Sequence, residues 1–250
     1  MKLLIPDWPA PARVHSASST RQGGVSQPPF DSLNLALHVD DRMADVMDNR
    51  CRLAEKLALP GEPHWLNQVH GTTVVDLDDV LNERPDADAS VTRTAHTVCA
   101  VLTADCLPVL FCDRSGTQVG AAHAGWRGLA AGILETTVAA FTAAPEEMLV
   151  WLGPAIGSQA FEVGDEVRQV FCDAASTAEQ AFTATGSGRW NADLGQLARQ
   201  CLARIGINKV YGGGHCTFNE ASDFYSFRRD GNTGRMASLI WLETTKRNSG

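Results

Sequence analysis

The sequence predicts an α/β fold, a single-domain mixed-sheet α/β sandwich. Short β-rich runs alternate with amphipathic segments along the whole chain, which is the pattern of interleaved strands and helices. The chain has 250 residues, of which 44% are hydrophobic, so it can bury a full core. No internal repeat, low-complexity tract or long Ser/Gly linker divides it. We therefore expect one domain over residues 1–250.

The first half of the chain predicts a strand, a helix and then a series of strands. The strand ARVHSASSTR leads into a loop rich in Gly and Pro, QGGVSQPPFD. Residues 40–59 have apolar side chains at helical spacing after an acidic start and predict a helix. HWLNQVHGTTVVDLD has the pattern of strand, break and strand. Three further β-rich runs follow: TVCAVLTAD, LPVLFCD and TQVGAAHAG.

The second half continues the alternation. Residues 129–143 and 163–174 predict helices on either side of a buried strand in EMLVWLGPAIG. The segment 191–206 predicts an amphipathic helix with Asn191 or Asp193 as its cap and Gly206 as its stop. NKVYGGGHC predicts a strand entering a glycine loop. FYSFRRDGNTGRMASLIWLE predicts a hairpin of two strands joined around Asp-Gly-Asn-Thr-Gly.

The charge balance restricts the partners. The chain has 21 basic and 29 acidic residues, a formal net charge of −8, which argues against a nucleic acid or an anionic membrane as the main partner. An anionic small molecule remains compatible with a local cluster of arginines. The apolar patch in MKLLIPDWPAPAR is too short for the hydrophobic region of a signal sequence. No run approaches the roughly 20 apolar residues of a membrane span. We expect a cytoplasmic protein.

Seven scattered cysteines without a CxxC motif favour reduced thiols over a disulfide framework. Cys99, Cys112, Cys172 and Cys201 lie in apolar runs and are expected in the core. Cys106 stands apart, because it follows an acid at the break between two predicted strands. Packing, a disulfide, a nucleophile and a metal ligand are all open for it.

Three residues with ligand chemistry lie at strand-to-loop breaks: His70, Cys106 and His123. Side chains at such breaks face the ligand cleft of open α/β sheets. Three protein ligands would suit a catalytic zinc site with one open position, although their spacing matches no short zinc motif. The same residues would also suit a cysteine hydrolase with Cys106 as nucleophile and a histidine as base.

Several arginines lie in loops or turns, beside glycines in most cases: Arg21, Arg127, Arg228, Arg229 and Arg235. Guanidinium groups bind phosphate through paired hydrogen bonds, so these residues predict an anion pocket, and GWRG begins a predicted helix next to His123. Asp105 is a candidate general acid or base, or alternatively the cap of the turn that precedes Cys106.

A set of motifs spread over most of the chain resembles the laccase-domain family. The motifs are STRQGGVS, SLNLALHV, NQVHG, ADA, LTADCLPVLF, AAHAGWRG, GPAIG, FEVG and SFRRDGNTGR. Members of this family have been called polyphenol oxidases, peptidoglycan editing factors and purine nucleoside phosphorylases. The resemblance implies a mixed α/β domain with a His-Cys-His metal site, usually zinc, whose ligands fall on His70, Cys106 and His123.

The implied activity is phosphorolysis of adenosine, inosine and 5′-methylthioadenosine, with adenosine deamination as a side activity. The substrates would be a purine nucleoside and phosphate. The predicted catalytic residues are Asp105, Arg21 and Arg228, and the predicted substrate-binding residues are Arg21, Asn34, Gln68, Arg127 and Arg229. GGGHCTF departs from the family pattern near His215, which receives no role.

Three alternatives stay open, of which the cysteine hydrolase described above is the first. The chain has seven histidines and no HxH, too few for a four-copper oxidase, but a single copper with oxidase activity would fit the same ligands. The zinc-deaminase signature HxE…PCxxC is absent. A non-enzymatic factor in cell-wall assembly is the third alternative, although no residue pattern indicates a peptide groove. Protein partners are not predicted.

Overall fold

The computed structural model describes residues 1–79 and 84–244, in which strands and helices alternate. The strands are β1 (Leu3–Leu4), β2 (Val14–Ser19), β3 (Pro63–Trp65), β4 (Val74–Asp76), β5 (Ala89–Thr92), β6 (Val98–Thr103), β7 (Leu107–Asp113), β8 (Val119–Ala124), β9 (Met148–Leu152), β10 (Glu162–Gly164), β11 (Phe182–Gly186), β12 (Arg189–Ala192), β13 (Val210–Gly212) and β14 (Met236–Leu242). The helices are α1 (Met43–Leu57), α2 (Trp126–Ala131), α3 (Ile133–Ala139), α4 (Asp165–Ala174), α5 (Leu194–Arg204) and α6 (Phe227–Asp230), with 3₁₀ turns at Pro145–Glu147 and Ser176–Ala181.

The strands form two large sheets and one small one. The first large sheet has the order β1-β2-β14-β6-β3, the second has the order β13-β9-β7-β8-β5-β4, and the small sheet has the order β10-β12-β11. Both large sheets are mixed, because β3 runs parallel to β6, β4 to β5 and β13 to β9, whereas the other pairs in these sheets are antiparallel. The predicted α/β class with mixed sheets is confirmed.

The two large sheets pack face to face, with helices on their outer faces. The alternation of strand side chains shows this in β6, where Cys99 and Val101 join the core between the sheets and Ala100 faces the cluster around Leu53 of α1. On β7, Val109 belongs to the cluster that includes α3 and α5, while its neighbour Leu110 faces the first sheet. The core is therefore a sandwich of two sheets covered by helices.

Two helices differ in detail from their prediction. The predicted helix at 129–143 is two helices that meet at Gly132, whose φ of 98° breaks the helical hydrogen bonding. Helix α5 is capped by Asp193, whose carboxylate accepts the Gln196 N–H at 2.8 Å, while Asn191 lies in β12. The β11–β12 hairpin lies in a stretch where no element was predicted.

The predicted hairpin at the C-terminus is wrong in its first strand. Residues 227–230 form helix α6, because the Ser226 hydroxyl accepts the Arg229 N–H and Asp105 accepts the Arg228 N–H. β14 pairs instead with β2 and β6 in the first sheet. A short helix with two caps thus replaces the strand that the aromatic pattern suggested.

All seven cysteines are free thiols. Cys99, Cys112 and Cys201 are buried as predicted, whereas Cys172 is only half-buried. Across residues 1–79 and 84–244, the helices are all too short or too polar to cross a bilayer.

Candidate metal centre and active site

The topology brings His70, Cys106 and His123 to one edge of the sandwich. Because β3 and β6 are parallel, the loop that follows β3 and the turn that follows β6 lie at the same edge. His70 belongs to that loop and Cys106 to that turn. β7 and β8 are antiparallel, with His123 paired opposite Pro108, so His123 lies at the beginning of β7 next to Cys106.

The donor atoms of these three residues form a compact cluster. All lie within 4.8 Å of one another, and His70 Nε2 is 3.8 Å from Cys106 Sγ. A tetrahedral zinc with Zn–N of about 2.1 Å and Zn–S of about 2.3 Å places N and S about 3.6 Å apart. Two imidazoles and one thiol at this spacing fit a zinc ion and leave a fourth position open.

Asp88, to which the sequence pattern assigned no role, supports the cluster from the side away from the cavity. Its fully buried carboxylate accepts His123 Nδ1 at 2.8 Å and the backbone N–H groups of residues 69, 70 and 71 at 3.2, 3.0 and 2.6 Å. The bond to Nδ1 leaves His123 Nε2 free to face Cys106. One carboxylate therefore orients His123 and fixes the loop that carries His70. The only sequence signal was its place within the motif ADA.

Gly125 leaves the space that allows the His70 and Cys106 side chains to approach each other. A Cβ atom at this position would lie 2.9 Å from His70 Cδ2 and 3.0 Å from Cys106 Sγ. Its φ of −63° is accessible to any residue, so the requirement for glycine comes from space alone. The motif HAGWRG thus contributes a ligand-type histidine and the gap that the other two side chains need.

The Cys106 thiol differs from the core thiols in its acidity. Burial opposes ionisation of Cys106, but the neighbouring His123 and His70 outweigh it and lower the pKa of the thiol. Burial also opposes the charged form of His123, and the Cys106 and Asp88 groups raise its pKa. Burial without such partners raises the pKa of Cys99 to about 12. Cys106 is therefore the thiol prepared to ionise and bind a metal.

A cavity of about 520 Å³ lies over the cluster. Besides the three residues, its polar wall contains His38, Gln68, Asp105, Arg127, Arg228 and Arg235. Its apolar wall contains Leu102, Ala104, Trp126, Ile156, Phe161 and Phe227. Three guanidinium groups and three aromatic rings thus surround one group of metal-type donors, which suits a ligand with an anionic part and a planar part.

Four of the predicted catalytic and binding residues line this cavity. Arg127 stacks over the Trp126 ring at 4.5 Å, and Arg228 donates one guanidinium bond, to the Glu162 carbonyl at 3.0 Å. Gln68 uses its amide to pair with the backbone of Leu102. Asp105 accepts Thr217 Oγ1 at 2.6 Å and the Arg228 N–H at 2.7 Å, which favours an anchoring role over proton transfer.

The structure does not bring Arg21, Asn34 and Arg229 to the cavity. Arg21 bonds to Asp31 and to the Ala221 carbonyl. Arg229 bonds to three backbone carbonyls, those of residues 217, 218 and 224, and to Asp230. Asn34 is fully buried, and its side chain accepts the backbone N–H of Arg235 at 3.0 Å. These side chains hold loops in place.

Two further cavity residues are Arg235, which was expected in an anion pocket but received no individual role, and His38, which received none. Arg235 lines the cavity with two of its guanidinium hydrogens held by the carbonyls of Thr233 and Gly234. Burial lowers its pKa, and the nearby Cys106 and Asp105 groups raise it in opposition. The apolar wall could not be assigned from the sequence, because Phe161 and Phe227 come from distant segments that only the fold brings together.

Comparison with known proteins extends these observations. The sequence model of the family described as Multi-copper polyphenol oxidoreductase laccase matches residues 15–243. The chain is 55% identical over 241 residues to "Purine nucleoside phosphorylase YfiH" of Escherichia coli (strain K12), covering 96% of this chain and 99% of that protein. It is 47% identical over 245 residues to "Purine nucleoside phosphorylase" of Haemophilus influenzae, covering 97% and 100%.

Solved structures agree with the fold. Protein NMB0706 of Neisseria meningitidis has a TM-score of 0.94 at 54% identity, covering 98% of this chain and all of that one. YlmD of Geobacillus stearothermophilus has a TM-score of 0.88 at 34% identity, with 93% of each chain covered. Because the family model matches most of the chain, and these relatives overlap nearly all of it and share its fold, the chain belongs to the laccase-domain family.

Proposed function

We propose that this chain is a zinc-dependent phosphorylase that cleaves adenosine, inosine and 5′-methylthioadenosine with phosphate. The observation that carries the proposal is the cavity, in which a His-Cys-His cluster, three arginines and an aromatic wall meet. Relatives that overlap nearly the whole chain bear the name purine nucleoside phosphorylase. We also propose that His70, Cys106 and His123 hold the zinc ion.

The reaction exchanges the bond from ribose C1′ to purine N9 for a bond from C1′ to a phosphate oxygen. The base leaves with the electron pair of the broken bond and takes up a proton. Such chemistry requires positioning and charge stabilisation more than covalent participation of the protein. A bound zinc ion would supply positive charge to an oxygen atom of the reactants.

The chain's own residues divide the remaining tasks. Arg127, Arg228 and Arg235 carry guanidinium hydrogens that are not used within the described structure, and they bind the phosphate. Trp126 and Phe161 provide ring faces against which a planar base packs. Asp88 keeps His123 in one tautomer. The apolar side chains that line the cavity would reduce the number of water molecules that compete with phosphate.

The deciding experiment is base release from inosine by the purified chain, with and without phosphate, followed by chromatography of both products. Phosphate-dependent hypoxanthine together with ribose 1-phosphate supports the proposal. Release without phosphate identifies a hydrolase, and no release from inosine or adenosine refutes the nucleoside assignment. Inosine formed from adenosine in the same samples would measure deamination as a side activity.

A cysteine hydrolase is the second candidate, and a specific arrangement favours it. The buried carboxylate of Asp88 bonds to the His123 imidazole, and His123 lies next to the Cys106 thiol, as expected of a nucleophile with an oriented base. Alkylation of Cys106 in metal-free protein separates the two. Activity that survives metal removal and ends on alkylation belongs to a nucleophilic thiol, whereas activity that ends on metal removal belongs to the zinc enzyme.

A further inference from the structure

A second cavity, of about 570 Å³, lies beside the first and contains none of its residues. Two chain segments separate the cavities. Leu37 and Leu66 line the second cavity, while His38 and Gln68, close to them in the sequence, line the first. The proposed reaction gives this second cavity no role.

The unusual feature of this cavity is Arg50. Its side chain comes from α1 and is only 8% exposed, yet no carboxylate lies within ion-pair distance of it in residues 1–79 and 84–244. Nε and Nη2 both donate to the carbonyl of Leu35, at 3.0 and 2.8 Å, and the guanidinium stacks over the Trp65 ring at 4.0 Å. Among the described residues, this buried cation is held by one carbonyl and one ring, without the carboxylate partner that such groups normally have.

A second guanidinium group makes the cavity more positive. Arg84 lines it and donates Nε to the Leu66 carbonyl at 3.3 Å. Burial first, and then repulsion from Arg84, lower the pKa of Arg50 to about 10, while Glu62 raises it. The Glu62 carboxylate accepts the Trp65 indole N–H at 2.9 Å. Among the described residues that line the cavity there are thus two arginines and one acid, and an anion between the arginines would relieve their repulsion.

The remaining wall indicates what the anion is attached to. Leu37, Leu66, Leu77, Pro63 and Pro85 form an apolar surface, and His64 and His96 add imidazole groups. The volume is sufficient for a nucleotide-sized molecule. We propose that this cavity binds a phosphomonoester with an apolar or heterocyclic body, its phosphate between Arg50 and Arg84. The site is separate from the proposed catalytic cavity.

The test is calorimetric titration of the full-length chain with adenosine 5′-monophosphate, and with ribose 5-phosphate and inorganic phosphate in parallel. Arg84→Gln removes an exposed guanidinium, and Arg50→Gln removes the buried one. We expect each to weaken binding of adenosine 5′-monophosphate by about tenfold or more, because each loses hydrogen bonds to a charged group. Ribose 5-phosphate and inorganic phosphate should bind more weakly, since they lack the heterocyclic body.

Two controls keep the result specific. Arg52→Gln removes the same charge from the same helix, at a residue paired with Asp48 on the surface, and should leave the affinity unchanged. Arg235→Gln alters the catalytic cavity and reports any nucleotide bound there, so it should leave unchanged the binding that Arg84→Gln removes. The proposal is overturned if the wild-type chain does not bind the nucleotide, if Arg52→Gln weakens binding as much as Arg84→Gln, or if only Arg235→Gln weakens it. Arg84→Gln decides the matter if Arg50→Gln does not fold. None of these outcomes depends on the phosphorylase activity.

Discussion

Two polar regions of this molecule look alike in the sequence and differ in the structure. The strand-edge cluster, consisting of His70, Cys106 and His123, keeps donor atoms directed at one another and at a cavity. The Arg21 loop, residues 19–34, carries the motifs STRQGGVS and SLN and uses its polar groups for hydrogen bonds within the protein. There, Arg21 is bonded to Asp31, and Gln22 donates to the Ser222 carbonyl at 2.7 Å.

The difference lies in how much hydrogen-bonding capacity each side chain has left. Arg229 donates five guanidinium bonds to its surroundings, whereas Arg228, the next residue, donates one and faces the cavity. A polar motif therefore indicates a role but does not say whether the role is to bind a ligand or to hold a loop. Unused donors that face a cavity distinguish the first case from the second.

Cys106→Ala is the most direct test of the strand-edge cluster as a metal site. Loss of one ligand should remove bound zinc and lower phosphorolysis on the order of 10³-fold, because a metal contributes several kcal/mol of charge stabilisation. Metal content by mass spectrometry and inosine turnover measure the two effects. Cys51→Ala, at an exposed thiol, is the matched control and should keep both. A Cys106→Ala variant with full metal and full turnover would remove the residue from the site.

Gly125→Ala tests whether the cluster depends on space that glycine leaves. The added Cβ meets His70 and Cys106 at 2.9 and 3.0 Å, so the two donors must move apart. We expect zinc affinity, measured by competition with a chelating dye, to fall by about 10–100-fold, as for other changes that misorient ligands. Gly214→Ala adds a Cβ with no atom within 4 Å and should change nothing. Equal affinities in the two variants would mean that the cluster does not bind the metal.

Asp88→Asn tests the residue that supports the cluster from behind. An amide has one oxygen to accept hydrogen bonds, while Asp88 accepts four from His123 and residues 69–71. Zinc affinity should fall by about 10-fold or more. Asp113→Asn is the control, since Asp113 is also buried and accepts turn N–H groups but lies away from the cavity. If both variants lose stability alike and neither loses zinc, Asp88 only holds its loop.

The sequence could predict the elements and the three donors because both depend on local patterns. Apolar periodicity located β6 to β9 and α5, and strand-end positions made His70, Cys106 and His123 candidates, which the family resemblance then suggested as metal ligands. Asp88 was missed because its importance comes from four contacts that only the packed loop reveals. The first strand of the C-terminal hairpin was predicted wrongly because Phe224 and Tyr225 are buried in a loop, and the hydrogen bond from the Arg228 N–H to Asp105 spans 123 residues.

Arg235→Gln tests whether an arginine with unused hydrogen-bond donors in the cavity binds phosphate. Its free guanidinium hydrogens face the cavity beside the cluster, so losing the charge should raise the KM for phosphate about tenfold. The KM for inosine should change less. Steady-state kinetics with either substrate varied gives both values. A larger effect on inosine than on phosphate would place the base, rather than the anion, at Arg235.

Arg21→Gln should have the smallest effect on catalysis, even though the sequence named Arg21 as a catalytic residue. Its guanidinium lies in a separate cleft, is bonded to Asp31 at 2.9 and 3.2 Å and stacks on the Tyr225 ring at 4.7 Å. Removing it should lower the free energy of unfolding by about 1 kcal/mol and leave the KM for phosphate within about twofold. Urea unfolding and the same kinetics measure both. A large rise in that KM with unchanged stability would return Arg21 to the phosphate site, and the cleft beside it would then be the place where the anion enters.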